Sequence, residues 1–309
     1  MFKPIRFLPD ETQIAFIRLR TISYAVSAAA SVLSLALFLV LGLNYGIDFR
    51  GGTLIEIQTK TEQADLGGLR STLGGLGLGD IEIQEFGAPN EVLIRVEQQQ
   101  GGEAAQQTVI DKVKQALGDS VEYRRVEVVG PKVSGELVQT GTIAVVVALI
   151  AVLIYIWFRF EWQFAIGAVV ATIHDVVLTL GVFSVLQLEF NLSIIAAILT
   201  IVGYSLNDTV VVYDRHRENL RRYKRMALQE LLDKSINQTL SRTLLTSVTT
   251  LIALFSLYIF GGEVIRGFTF AMIWGVVVGT YSSIFIASPI LMVLGVKRDW
   301  SGVTAGASV

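Results

Sequence analysis

The sequence predicts a polytopic α-helical membrane protein with six transmembrane helices and an α+β domain inserted between the first and the second. Three observations carry that prediction. Of the 309 residues, 52% are hydrophobic and only 17% charged, against about 25% charged in an ordinary soluble domain. Six stretches are apolar over the roughly 20 residues needed to cross ~30 Å of hydrocarbon. The one long segment between spans instead alternates apolar and polar residues, the period of half-buried strands. The mean hydropathy of +0.57 excludes a soluble enzyme and a disordered tail. A formal net charge of -2 offers no field for nucleic acid. The absence of cysteine excludes disulfides, thiolate metal sites and thiol catalysis, and two histidines leave little for a zinc site.

Taken in order, residues 1–21 form an N-terminal segment and residues 22–43 the first span. Its apolar run exceeds the 7–15 residues typical of a signal peptide, and no small-residue cleavage site follows, so it reads as a retained anchor. Residues 44–139 form the α+β domain, and residues 140–296 hold five further spans, near 141–158, 164–186, 192–213, 243–260 and 268–294. A basic loop, 214–241, divides them, and 297–309 is a tail. Basic residues set the orientation. Lys3, Arg6, Arg18 and Arg20 precede the first span; Arg215, Arg217, Arg221, Arg222, Lys224 and Arg225 crowd the 214–241 loop; Lys297 and Arg298 follow the sixth span. Both termini and the 214–241 loop are therefore expected in the cytoplasm and residues 44–139 outside.

Within the outside domain, Thr53-Leu54-Ile55-Glu56-Ile57-Gln58 alternates as a strand, and a helix fits about Ala64 to Leu73. Strands at Ile81 to Gln84 and Val92 to Val96 flank the turn signal Gly87-Ala88-Pro89-Asn90. A second helix from Glu103 to Leu117 and a strand from Val121 to Val129 complete a βαββαβ, ferredoxin-like order. The run Gly74-Gly75-Leu76-Gly77-Leu78-Gly79 lacks the Lys-Ser or Lys-Thr of a phosphate loop and reads as a plain connection.

Span six carries Ala271, Gly275, Gly279, Ser283 and Ala287 at four-residue intervals, a small face on which another helix packs closely. Pro289 is expected to loosen its last turns. Ionisable groups inside spans are the informative ones, since each costs about 2.5–3.5 kcal/mol at a helix centre. His174 and Asp175 lie in span three, Asp208 in span four, and Arg242 at the entrance of span five, leading a polar or small stripe through Thr246, Thr249, Ala253 and Ser256. A plain reading stands beside the functional one: Arg242 snorkels to the interface, Asp208 bonds a neighbouring helix. For His174-Asp175, packing and proton conduction both stay open.

Gly46-Ile47-Asp48-Phe49-Arg50-Gly51-Gly52-Thr53 resembles the signature of the SecD/SecF family of protein-export membrane subunits. Val202-Gly203-Tyr204-Ser205-Leu206-Asn207-Asp208-Thr209 through Arg215, and Ser235 through Thr243, resemble the stretches at spans four and five of its SecF branch, and His174-Asp175 falls where that branch carries such a pair. Tyr213 and His216 depart from the usual phenylalanine and aliphatic residue. The resemblance implies one half of an RND-type transporter in the bacterial inner membrane, with SecD as the other half. The implied partners are SecD, the SecYEG channel, YajC and translocating preproteins, and the implied role is to use the proton motive force for export after the SecA motor. It assigns the proton relay to Asp208 and Arg242; beside that pair, His174, Asp175, Ser205, Asn207 and Thr246 are candidate supporting polar residues read from the sequence itself. Gly46, Asp48, Gly51, Gly52, Gly203, Gly275 and Gly279 are signature or structural positions. No cofactor, metal or bond-making chemistry is implied. Bulk at Gly279 is expected to weaken assembly with SecD.

Three rivals remain at this level. A stand-alone RND-type exporter of small molecules or lipids would need this chain to dimerise. An intramembrane aspartyl protease would pair Asp175 with Asp208, but the chain lacks its Gly-x-Gly-Asp element and places the two at unequal depths. The third is a pure assembly scaffold.

Overall fold

The structure, a computed structural model, describes residues 12–296. Lys3, Arg6, Lys297, Arg298 and the 297–309 tail lie outside the described residues. Among the described residues six helices are long and apolar enough to cross a membrane: Ile17–Leu41, Lys132–Arg159, Trp162–Leu186, Leu192–Arg222, Leu228–Phe260 and Arg266–Leu294. The first contains α1 (Arg20–Leu41), and the next four correspond to α5 (Pro131–Arg159), α6 (Trp162–Leu186), α7 (Leu192–Arg222) and α8 (Leu228–Phe260). The last is α9 (Arg266–Ser282), a π-helical turn (Ser283–Ala287) and α10 (Ser288–Leu294). The loosening expected at Pro289 takes the form of that π turn, immediately before the proline. Because Pro lacks an N–H and crowds the carbonyl four residues back, the helix shifts register there instead of continuing evenly.

Burial separates the spans into two groups. In their most apolar windows, 61% of the last span, 50% of α7 and 44% of α6 are buried, against 11% or less for α1, α5 and α8. The first three form the centre; the others present apolar side chains such as Val40, Phe158 and Phe260 outward, as lipid requires. Small residues set the closeness at the centre. A Cβ at Gly275 would run into Ile201 of α7, and one at Gly279 would lie 3.0 Å from Ser205 Cβ. The small face of span six therefore packs on α7 of the same chain, so bulk at Gly279 acts first on packing within this chain. On the other side of α6, Gly181 admits Ser34 of α1. Ser184 Oγ lies within hydrogen-bonding reach of Leu37 O (3.0 Å) and Gly42 O (2.8 Å), tying α6 to the end of α1.

The α+β domain has the βαββαβ order read from the alternation: β2 (Gly52–Thr59), α3 (Leu66–Gly74), β3 (Ile81–Phe86), β4 (Ala88–Val96), α4 (Glu103–Leu117) and β5 (Val121–Val129). Its antiparallel sheet runs β3-β4-β2-β5. Ile55, Ile57, Val92, Ile94 and Val96 bury one face against Val109, Val113 and Leu117 of α4, each such side chain contributing about 1.5–3 kcal/mol. The β3–β4 turn is tighter than expected: Gly87 alone, at φ 86°, separates the strands, and Pro89 and Asn90 belong to β4. α5 starts at Pro131, directly after β5 and before the boundary expected at 140.

Two short elements join this domain to the helices. β1 (Asn44–Tyr45) pairs in parallel with β6 (Glu189–Phe190), the link between α6 and α7, and α2 (Ile47–Arg50) follows β1. Leu54 and Leu93, on the sheet face away from α3 and α4, pack on Ile47.

Candidate functional site

The central helices enclose two carboxylates, each held by hydroxyls. Asp208 is on α7 and 8% exposed. Its Oδ1 accepts from Thr243 of α8 at 2.6 Å and its Oδ2 from Ser283 at 2.5 Å. Asp175, on α6, is fully buried. Its Oδ2 accepts from Ser205 of α7 (2.6 Å) and Ser282 of α9 (2.7 Å), and its Oδ1 lies 3.0 Å from His174 Nδ1. Adjacent serines at the α-to-π transition thus reach one carboxylate each. That is a closer juxtaposition than the unequal depths suggested by sequence. Every oxygen of the two carboxylates has a hydroxyl or ring partner, which disfavours the shared-proton dyad of an aspartyl protease.

Each site has a serine with a second acceptor, Ser282 Oγ lying 3.2 Å from Gly279 O, so the sites differ in their remaining partners and not in this. Ser283 Oγ also lies 3.1 Å from Thr280 O. Its proton can therefore turn to that carbonyl while the oxygen accepts from a protonated Asp208. Both charge states of Asp208 are then hydrogen-bonded, the condition for a buried group to change state at low cost. Asp175 ties α6 to α7 and α9 through Ser205 and Ser282, and takes a third contact from His174 of its own helix. His174 packs against the Tyr281 ring (6.1 Å between centroids), and its Nε2 is buried with no hydrogen-bond partner among the described residues.

Of the residues expected at the site, the structure brings together Asp208, Asp175, His174 and Ser205. Arg242 immediately precedes Thr243 on α8 but is exposed, and among the described residues it forms no ion pair with Asp208, whose oxygens are bound by Thr243 and Ser283. Thr246 is exposed and donates to its own helix, to Arg242 O (2.7 Å) and Thr243 O (3.0 Å). Asn207 and Gly203 are exposed on another face of α7. Gly46, Asp48, Gly51 and Gly52 stand at the sheet end of the molecule. Asp48 Oδ2 accepts from Leu192 N (2.9 Å), sixteen residues from Asp208, or about 24 Å along α7. Sequence reasoning missed Thr243, Ser282 and Ser283 as site residues. Ser283 stood in the small-residue stripe, and only its position just before Pro289 hinted at more. Among the described residues no cluster of three His, Asp or Glu side chains could hold a metal ion.

A six-span helical bundle with hydroxyl-held carboxylates at its centre, and one α+β domain docked on one end of a central helix, defines a polytopic membrane protein of the transporter type. Residues 108–297 match the family described as "Protein export membrane protein SecD/SecF, C-terminal", and residues 36–63 match the "SecD/SecF GG Motif". The chain belongs to the SecD/SecF family. It is 46% identical to the protein translocase subunit SecF of Rhodobacter capsulatus over 310 residues, covering 96% of this chain and 93% of that one. It is 47% identical to the protein translocase subunit SecDF of Brucella abortus, covering 95% of this chain but 39% of that longer protein. The crystal structure of SecDF from Thermus thermophilus, a translocon-associated membrane protein, superposes with a TM-score of 0.83 at 34% identity, over 93% of this chain and 39% of that one. A second SecDF structure, in a super-membrane-facing form, gives 0.71 at 33% identity.

Proposed function

We propose that this chain works as the SecF-type subunit of the Sec export machinery, joined to a SecD-type chain, and that a proton entering and leaving Asp208 drives its share of preprotein translocation. The observation that carries the reading is the Asp208 site: a carboxylate buried in a central span, bonded by two hydroxyls, one of which has a second acceptor ready. Relatives matching nearly the whole chain are SecF subunits, and the longer relatives carry SecD and SecF in one protein, which supports SecD as the missing remainder. SecYEG, YajC and the preprotein are the further partners in this reading. It places the protein in the bacterial inner membrane, with the α+β domain and the β1–β6 end outside and the Arg215–Arg225 end in the cytoplasm.

Arg242 acts in this scheme through its charge on the exposed side of Asp208, where a SecD-type chain would cover it. Protonation removes the carboxylate charge and turns Ser283. The contact between α7 and the π turn then changes, and α7 moves. Moving one charge through the field supplies about 2.3 kcal/mol per 100 mV. The test is preprotein export in proteoliposomes containing SecYEG, SecA and a SecD-type chain, with and without this one. Export that gains a response to the proton gradient only when both are present supports the reading. A gradient response from this chain alone, with a small molecule or lipid as cargo, would favour the stand-alone exporter.

A further inference from the structure

The signature around Gly46 plays no part in the Asp208 chemistry, and the structure shows what it builds. Arg95, on β4, has a side chain only 8% exposed. A buried guanidinium is costly unless paired, and its partners come from both sides of a boundary. On the sheet, Nη1 meets Glu82 Oε2 of β3 at 2.8 Å. Across the boundary, the same nitrogen donates to Asn44 Oδ1 of β1 (3.3 Å), and Nη2 stands 3.3 Å from Glu189 Oε2 of β6, the link leading into α7. Nη2 makes no aligned hydrogen bond there, so Glu189 is held by charge. Burial pushes the Glu189 carboxyl up from its ordinary value, with Arg95 pulling it down and Asp48 raising it.

The rest of the link is fastened from the signature. Gly46 N donates to Phe190 O (2.9 Å), Asn44 Nδ2 to Gln187 O (3.0 Å), and Asp48 accepts from Leu192 N at the first turn of α7, where a carboxylate is favoured. A Cβ at Gly46 would lie 2.6 Å from Glu189 Oε1, so glycine is what lets Glu189 seat beneath the sheet. Phe49, Tyr45 and Phe190 pack edge-on or tilted against one another in the same link. Glu82 alone could neutralise Arg95 within the sheet; the additional reach to Glu189 is what joins the sheet to α7.

We propose that Arg95 is a positioning residue: through Glu189 and Asn44 it makes the α+β domain and the outer end of α7 one body, so that displacement of α7 is delivered to the domain. This rests on the reading of Asp208 as the driven proton site. The experiment uses the full complex with the SecD-type chain and SecYEG in proteoliposomes, following proton uptake and preprotein export separately. Arg95→Met should keep assembly and proton uptake but lose the gradient-driven part of export. Glu189→Gln should uncouple in the same way, while Arg95→Lys, which keeps the charge but not the planar fork that reaches Glu82, Asn44 and Glu189 together, should recover part of the gradient-driven export. Gradient-driven export unchanged in Arg95→Met, loss of proton uptake along with export, or a Glu189→Gln variant that exports like wild type would each overturn the proposal. Failure of the Asp208 reading shows separately, as an unaltered gradient response in Asp208→Asn with Arg95 intact.

Discussion

Asp208 and Asp175 sit in one bundle, yet their neighbours give them different work. Asp208 is bonded by two hydroxyls, and Ser283 has Thr280 O as an alternative acceptor. Asp175 is fully buried and has three partners, Ser205, Ser282 and His174, although Ser282 likewise has Gly279 O within reach at 3.2 Å. Removing a hydrogen bond to a charged group costs about 1.5–3 kcal/mol. Ser283→Ala and Thr243→Val should therefore each lower gradient-driven export on the order of tenfold or more, while Thr246→Val, whose hydroxyl bonds only its own helix, should stay near wild type. Reporter preprotein export in cells measures all three. Equal loss in Thr246→Val would show that the exposed stripe of α8 matters more than the buried hydroxyls. Asp175→Asn should act first on stability, since it leaves two serines and His174 poorly matched in a dry site. The carboxylates and His174 were legible in the sequence because charge inside an apolar run stands out. The serines and Thr243 were not, because hydroxyls are common in membrane helices and usually bond their own backbone, as Thr246 and Thr249 do.

At the scale of elements, the π turn at Ser283–Ala287 and the glycine face before it determine how span six meets α7. Tyr213 donates to Ala287 O (3.0 Å), and His216 Nε2 lies 3.0 Å from Ser288 Oγ, so α7 grips both ends of the turn that Asp208 holds through Ser283. Gly275→Leu should clash with Ile201, and Gly279→Leu with Ser205, at a cost of about 1–3 kcal/mol each for overpacking. The measurement is thermal unfolding of the purified chain in detergent, without a SecD-type partner. A lowered midpoint is expected, and a change visible only in the complex would return the stripe to the partner interface. The stripe's existence and spacing were plain in the sequence. Its target was not, since four-residue spacing specifies a close helix contact without specifying the helix. The start of α5 at Pro131 was hidden for a related reason: its polar first turns carry no hydropathy signal.

For the whole molecule, the account predicts one orientation and one line of transmission. Glu62→Cys, on the α+β domain, and Arg225→Cys, at the opposite end of α7, are both exposed positions. An impermeant thiol reagent added to spheroplasts should label the first and spare the second; the reverse would invert the molecule. Six spans, an inserted βαββαβ unit and the family resemblance are all legible in the amino-acid sequence, because lipid imposes run length and a half-buried sheet imposes alternation. The joint at Arg95 and Glu189 is not, since its partners are distant in sequence and each looks like an ordinary surface charge. The most direct test of the central claim is proton uptake and preprotein export measured side by side in proteoliposomes for wild type and Asp208→Asn, with and without an imposed proton gradient. The account predicts that Asp208→Asn assembles normally but shows neither uptake nor a gradient response in export. A variant that still exports faster under the gradient, as wild type does, would contradict it.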